Sequence, residues 1–534
     1  MGASRIRVDK RRALTMNLMQ LIEHCAQTNG HALAVLDEQE GRTWVETRNR
    51  IACLAAGLQG LGCDDRDRVG ILALNSSRYF EALFAIAWAG GVMVPINIRL
   101  AAPEVVFWLE DSGAKILCVD AAFAPMVATL RDRVGALEVI VYMGEGDIPD
   151  GMQSFESLID DHSVVDPSGR GGEDLSGLFY TGGTTGRSKG VMLSHNNQVI
   201  NALQTSRWFE MNHGSVYLNN APMFHAANMI GMLNATLIGA AHVFAPRFDP
   251  ELTMQLIEAH RVTHSVMVPT MINMLIHHPD IGNYDLSSLE LLLYGGSPMA
   301  EAIIVRAEAV LPGLRMIQAY GQTETSPVLT LLGPERHVFS GPLAGKTRSA
   351  GQAVPCTDIV IMDENDGLLA SGEIGEICAR GPNIMRGYWN LPEQTAETVR
   401  DGWIHTGDSG YLDEDGFLFI SDRVKDMIVS GGENIYSIEV ENALYQHPAV
   451  EACAVIGIPS GKWGEKVHAV VILAEDQEAD EQVLIAHCRE LIAGFKCPRG
   501  ISFRTEPMPL SGAGKILKRE LREPFWKGLG RQVG

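Results

Sequence analysis

A chain of 534 residues with 46% hydrophobic and 20% charged side chains is long enough for more than one domain and has the balance of a soluble globular protein. Its net charge of −22 and pI near 5.2 argue against a nucleic-acid partner, which is attracted through Lys and Arg surfaces. Nine cysteines, odd in number, scattered and without a C-x-x-C pair, suggest neither a disulfide framework nor a zinc site and fit a reducing, cytoplasmic compartment.

The start, Met1 to Arg12, is basic but is not followed by an apolar h-region, so it does not read as a secretory signal; a mitochondrial address stays open. Residues 14–60 read as helical, with Leu18, Leu21, Ile22 and Cys25 and later Ile51, Leu54, Ala55 and Leu58 at helical spacing. Short apolar strands are expected at Arg68–Leu74, Val92–Pro95, Lys115–Val119 and Glu138–Tyr142, with a helix over Tyr79–Gly90. The longest apolar segment, Leu83–Ile96, is broken by glycines and too short to span a bilayer, so no integral membrane segment is expected and peripheral lipid contact stays open. Strands then recur at His242–Phe244, Ser265–Val268 and Leu289–Tyr294, with helices at Pro250–His260 and Met271–His277. This alternation predicts an α/β protein whose large N-terminal domain has helix-covered parallel sheets. Residues 350–425, rich in Gly, Asp and Thr, predict a small antiparallel β unit. Beyond 425 the order helix (438–446), strand (452–457), strand (467–473), helix (479–493), strand (501–505) predicts a small α+β C-terminal domain.

Between the two halves lies Tyr180-Thr-Gly-Gly-Thr-Thr-Gly-Arg-Ser-Lys-Gly190. It holds five hydroxyls, four glycines and two cations, and no acid. Glycines let backbone N–H groups turn toward a polyphosphate, hydroxyls add donors, and Arg187 and Lys189 supply counter-charge. The spacing is not that of a Walker loop. Ser176–Tyr180 before it and Val191–Ser194 after it have the composition of strands or buried ends, which predicts a taut loop rather than a linker.

Six further segments stand downstream in a fixed order: Pro222-Met-Phe-His225, Tyr294-Gly-Gly-Ser297, Tyr320-Gly-Gln-Thr-Glu324, Thr406-Gly-Asp408, Asp422-Arg-Val-Lys425 and Ser511-Gly-Ala-Gly-Lys515. Each alone is weak: a Gly-Asp pair is ordinary turn chemistry, and a lone histidine after an apolar run is most often a core residue. Together, and with the glycine-rich loop, they resemble the acyl-adenylate-forming enzymes, closest to the AMP-forming acyl-CoA synthetases, over nearly the whole chain. The resemblance implies an adenylate-forming domain at 1–424 and a mobile domain carrying the catalytic lysine at 425–534. It implies a two-step ligase in which a carboxylate and ATP give acyl-AMP and pyrophosphate, after which the CoA thiol displaces AMP. ATP, Mg²⁺ and CoA are therefore expected, with a homodimer left open.

By the same resemblance, the nucleotide is held by Thr181, Gly182, Gly183, Thr184, Thr185, Gly186, Lys189, Gly296, Ser297, Tyr320, Gly321, Gln322, Thr323, Glu324, Asp408, Arg423 and Lys515. Within that set Glu324 is the Mg²⁺ ligand, Tyr320 lies against adenine, and Asp408, helped by Arg423, holds the ribose diol. The catalytic residues implied are Lys515, which meets the charge growing between carboxylate and α-phosphate, with Glu324, Thr184 and His225. Lys425 is the hinge of a domain rotation, and Gly431, Gly432 and Glu433 line the pantetheine tunnel. His225, Asn228, Met229, Val268, Gly295 and Gly321 wall the acyl pocket, in a neighbourhood that also includes Ala226, Ala227, Met232 and Met267. His225 stands where amino-acid-activating relatives place an Asp for the substrate ammonium, which weighs against amino-acid substrates. Gly182 and Ser188 depart from the family's usual Ser and Pro, and Ser437 from a common Pro. The expected activity is CoA ligation of a medium- or long-chain fatty acid. The alternatives are an aryl or other short carboxylate, an acyl-AMP ligase loading a carrier protein, and a non-catalytic acyl- or nucleotide-binding protein.

Overall fold

A computed structural model of the chain describes residues 15–36, 41–181, 188–341, 344–423, 426–430, 433–512 and 514–527. Two large sheets form the body. One has seven strands in the order Gln153–Ser154, Val139–Tyr142, Ile116–Val119, Arg68–Leu72, Val92–Pro95, Leu175–Thr181 and Lys189–Ser194. The other has nine, with Arg315–Tyr320, Leu291–Gly295, His264–Met267, Val216–Asn219, Ala241–Phe244 and Leu33–Leu36 as its parallel centre. Parallel strands are buried on both faces and therefore read as unbroken apolar runs; Val92–Pro95 and Leu291–Gly295 are buried at every position.

The helix Ser77–Ala89 lies between the sheets, which is why it is apolar on nearly every side, its buried Glu81 being paired with Arg50. Every residue in it but Arg78 is buried, and Phe80 packs on His242 of the nine-stranded sheet with ring centres 4.7 Å apart. The apolar run beginning at Leu83 is thus core, and among the described residues no helix is long and apolar enough to cross a membrane.

The expectation of continuous helix over 14–60 is corrected. The helix Met19–Thr28 stops before Asn29-Gly30, and Leu33–Leu36 joins the nine-stranded sheet as a parallel strand beside Ala241–Phe244. The second helix, Trp44–Gly60, begins at a reciprocal cap: the Thr43 hydroxyl accepts from the Glu46 N–H, and Glu46 accepts from the Thr43 N–H at 2.8 Å.

The predicted antiparallel unit is present as Asp358–Met362, Gly375–Arg380, Val399–Arg400, Trp403–Leu412 and Leu418–Arg423. The C-terminal portion is a second five-stranded sheet with the helices Ser437–Tyr445, Glu481–Leu491 and Lys518–Trp526. Its strands Ile428–Ser430 and Glu433–Ile435 and its last helix escape the sequence pattern. Strands of three residues are too short to show a period, and Pro524 sits inside the helix.

Two histidines are fully buried in this frame. Burial, then Arg170, pulls the pKa of His195 down to about 4; burial alone pulls that of His242 down to about 3. Between those values and about 6.5 the unfolded chain binds protons that the folded chain does not. Their stabilisation is therefore complete above pH 6.5 and is lost as pH falls toward 4 and 3, at about 1.4 kcal/mol per pH unit for each ring. The melting temperature is expected to hold from pH 8 to 7 and fall steadily below 6.5. A melting temperature constant down to pH 4.5 would contradict this.

Candidate active site

Four loops leave the C-terminal ends of neighbouring parallel strands of the nine-stranded sheet, the place where open α/β sheets bind ligands. They carry His225 (after Val216–Asn219), Val268 (after His264–Met267), Gly295–Ser297 (closing Leu291–Gly295) and Gly321–Glu324 (after Arg315–Tyr320). All of these residues line a single cleft of about 2820 Å³, as do Thr181, Ser188, Lys189, Tyr320, Asp408 and Lys515.

The strands on either side of the glycine-rich stretch pair with each other. Leu175–Thr181 and Lys189–Ser194 pair antiparallel down to Thr181 opposite Lys189, as their apolar composition predicts. The second strand is gripped on its other side by the segment 386–389: Met192 N–H donates to Gly387 C=O, Arg386 N–H to Met192 C=O, and Trp389 N–H to Gly190 C=O at 2.8 Å. This places the Lys189 ammonium 4.7 Å from the centre of the Tyr388 ring, within cation–π range. Gly182, Gly183, Thr184, Thr185 and Gly186 lie outside the described residues.

Tyr388 also ties this corner to the next. Its hydroxyl donates to Glu324 Oε1 at 3.0 Å, and the Glu324 carbonyl accepts the Met385 N–H at 2.9 Å. Glu324 is 8% exposed, a carboxylate fixed at the cleft wall. Sequence reasoning missed Tyr388; the aromatic pair after Gly387, in a chain only 7% aromatic, was the available signal. At the start of the segment that ends at Glu324, the Tyr320 hydroxyl donates to Asp408 Oδ2 at 2.8 Å. Asp408 stands opposite Arg423 in strand register, while the Arg423 side chain lies outside the described residues. Gln322 reaches Thr406 C=O at 3.5 Å, so the Tyr320–Glu324 and Thr406–Asp408 segments meet as one surface. Gly321 has φ +154, and a β-carbon there would come 2.0 Å from Pro327 O, which makes glycine obligatory at this turn.

Lys515 arrives from the C-terminal portion. At Gly296, where φ is +81, an added β-carbon would lie 3.1 Å from Lys515 Cε, so the lysine stem crosses the bare backbone of this glycine. His225, half-buried, is close enough to sense the ammonium: burial and then Lys515 pull its pKa down to about 3. The imidazole is neutral at physiological pH. Its Nδ1 accepts the Ala227 N–H at 3.1 Å, which leaves Nε2 as the protonated, donating nitrogen.

The acyl wall differs from expectation in part. Val268, Gly295, Gly321 and His225 line the cleft; Asn228 and Met229 do not. The helix Ala226–Ile238 presents Ala226, Ala227 and Ile230 to the cleft, and its period turns positions 228 and 229 to the other side. There Asn228 donates to Asn219 Oδ1 at 3.0 Å and accepts from the Tyr217 hydroxyl at 3.2 Å, while Met229 packs in the main core. Met232 and Met267 are core residues as well. Val266 and Leu293 complete an apolar lining.

The sequence model of the "AMP-binding enzyme" family matches residues 22–389, and that of the "AMP-binding enzyme C-terminal domain" matches 439–515. The chain belongs to the AMP-binding enzyme family. Similar AMP-binding enzymes include a feruloyl-CoA synthase of an Amycolatopsis species, 41% identical over 94% of this chain and 97% of that protein. Another is the fatty acid–[acyl-carrier-protein] ligase ScoC of Streptomyces coeruleorubidus, 36% identical over 97% of this chain and 98% of that one. Among solved structures, the anthranilate CoA ligase AuaEII in complex with anthranoyl-AMP superposes with a TM-score of 0.89 at 27% identity, covering 96% of this chain and 98% of that one. The expected family, the helix-covered sheets of its fold and the enzyme class of AMP-forming ligases are borne out. Of the remaining AMP-binding site calls, Lys425, Gly431 and Gly432 lie outside the described residues. Glu433 is exposed at the start of an edge strand and does not line the cleft. The antiparallel unit ends at Arg423 and the next sheet begins at Ile428, on either side of the proposed boundary at 424/425.

Proposed function

We propose that this AMP-binding enzyme joins an aryl carboxylic acid of the hydroxycinnamate kind to CoA through an acyl-adenylate. The observation that carries the choice of acid is the 41% identity, over 94% of the chain, to a protein named feruloyl-CoA synthase. The wall of Ala226, Ala227, Ile230, Val266, Val268 and Leu293 supports a flat apolar acyl group. A fatty acid is the second reading, favoured by that same apolarity and by the carrier-protein ligase relative.

In the first step the carboxylate oxygen attacks the α-phosphorus and pyrophosphate leaves. Lys515, reaching across Gly296 beside His225, supplies positive charge at the oxygens where negative charge builds. His225, uncharged and protonated on Nε2, offers a hydrogen bond to the acyl carboxyl without repelling Lys515. Asp408, oriented by Tyr320, accepts from the ribose hydroxyls, and Lys189 balances phosphate charge. In the second step the CoA thiolate attacks the acyl carbonyl carbon and AMP leaves with the electron pair.

The residues present fit a Mg²⁺ ion: Glu324 is a hard oxygen donor fixed at the cleft wall by Tyr388. Such an ion, held by Glu324 together with the nucleotide phosphates, supplies neutralisation of pyrophosphate charge. Glu324→Gln is expected to raise the Mg²⁺ concentration for half-maximal rate roughly tenfold or more, the loss of one charged ligand; an unchanged Mg²⁺ dependence removes Glu324 as a ligand. The acid is tested by comparing thioester formation from ferulate, a medium-chain and a long-chain fatty acid at equal concentration. Ferulate should give the highest kcat/KM. A higher value for either fatty acid replaces the first reading with the second. Accumulation of acyl-AMP in the presence of CoA points to a carrier-protein acceptor.

A further inference from the structure

Lys515 belongs to the C-terminal portion, yet the groups around its stem and head belong to the large sheets. Something must seat its loop in the cleft. Within the loop, Ser511 N–H donates to Lys515 C=O at 2.7 Å, Gly514 N–H donates to Ser511 C=O at 2.9 Å, and Lys515 N–H donates to Ser511 Oγ at 3.1 Å. These bonds give the turn its shape but do not decide where it docks.

The docking bonds come from the other side. Arg99 Nη1 donates to Ser511 C=O at 2.7 Å and reaches Leu510 C=O at 3.4 Å. Thr270 Oγ1, in the first turn of the helix Pro269–Ile276, donates to Gly514 C=O at 2.7 Å. Further along that helix, Asn273 Nδ2 donates to Glu451 C=O at 3.1 Å. The two glycines of the loop are pressed against the same surface. A β-carbon at Gly512 would sit 2.4 Å from Asn97 Nδ2, and one at Gly514 would sit 2.9 Å from Val268 Cγ2. Glycine at these two positions serves close approach. Every acceptor in this set is a backbone carbonyl, so docking reads the shape of the turn rather than its side chains.

We propose that Arg99 and Thr270 are positioning residues that latch the Lys515 loop into the cleft for adenylation and release it for thioester formation. The proposal rests on Lys515 acting in the first step. Neither residue touches the reacting atoms; each sets how much of the enzyme has its lysine in place. Losing one neutral or exposed charge-assisted bond changes such a population roughly fivefold. A latch differs from a structural prop in being needed for one half-reaction only.

The test measures both halves in the full-length chain for Arg99→Ala, Thr270→Val and Thr270→Ser. Acid-dependent ATP–pyrophosphate exchange reports the first step; thioester formation from supplied acyl-AMP and CoA reports the second. Exchange should fall about fivefold in Arg99→Ala and Thr270→Val and return in Thr270→Ser, which keeps the hydroxyl. Thioester formation and melting temperature should be unchanged, or thioester formation faster. Normal exchange in both variants, or equal loss in both halves, overturns the latch. Wild-type enzyme without exchange for any acid overturns the reading of the site itself, a result distinguishable from the first two.

Discussion

Replacing Lys515 by alanine is expected to slow adenylation roughly 10²–10³-fold, the usual loss when one preorganised charge is removed from a developing anion. The argument rests on convergence. Lys515 is the cation that the fold brings over Gly296 and within electrostatic reach of His225, from a loop of the C-terminal portion more than two hundred residues downstream. Lys189, already in the cleft, is spoken for by the Tyr388 ring beside the glycine-rich loop. Thioester formation from supplied acyl-AMP should change little, because no charge then builds on a phosphorane. Single-turnover rates of the two halves check this; equal losses in both would remove Lys515 from the first step.

The second large effect is expected at Asp408. Charge-assisted hydrogen bonds are worth about 1.5–3 kcal/mol each, and a ribose diol offers two. Asp408→Ala should therefore lower kcat/KM for ATP at least a hundredfold, with the loss chiefly in KM. The Tyr320 hydroxyl also loses its 2.8 Å acceptor, so Tyr320→Phe serves as a control that removes the same bond while keeping the carboxylate. The decisive readout is nucleotide choice. Wild-type enzyme should prefer ATP to 2′- and 3′-deoxy-ATP, and Asp408→Ala should use all three alike. A preference that survives the substitution places the ribose elsewhere.

The fold was readable where one element carries its own pattern. Strands buried on both faces, such as Val92–Pro95 and Leu291–Gly295, announce themselves as apolar runs, and the helix Pro250–His260 carries its own cap in Asp249, whose carboxylate accepts the Leu252 N–H. Leu33–Leu36 was not readable as a strand because four residues between two amphipathic helices leave the helical period almost intact. Asn228 and Met229 were misplaced for a different reason. Being next in sequence to His225 says nothing about which face of the helix a residue occupies, and the cleft sees only one face. Arg99 and Thr270 lacked any local signal, and Tyr388 had only the aromatic pair after Gly387. Their roles exist only through contacts such as Thr270 with Gly514, 244 residues apart, that the assembled sheets create. The glycine-rich loop shows both sides: its flanks were legible as strands, whereas the grip of residues 386–389 on Lys189–Ser194 was not.

The central claim is that this cleft makes an acyl-adenylate. Labelled pyrophosphate supplied with ATP, Mg²⁺ and the preferred acid, but no CoA, tests it most directly. The account predicts label entering ATP only when the acid is present, and AMP as the nucleotide product once CoA is added. ADP and inorganic phosphate as products, or exchange indifferent to the acid, would contradict it.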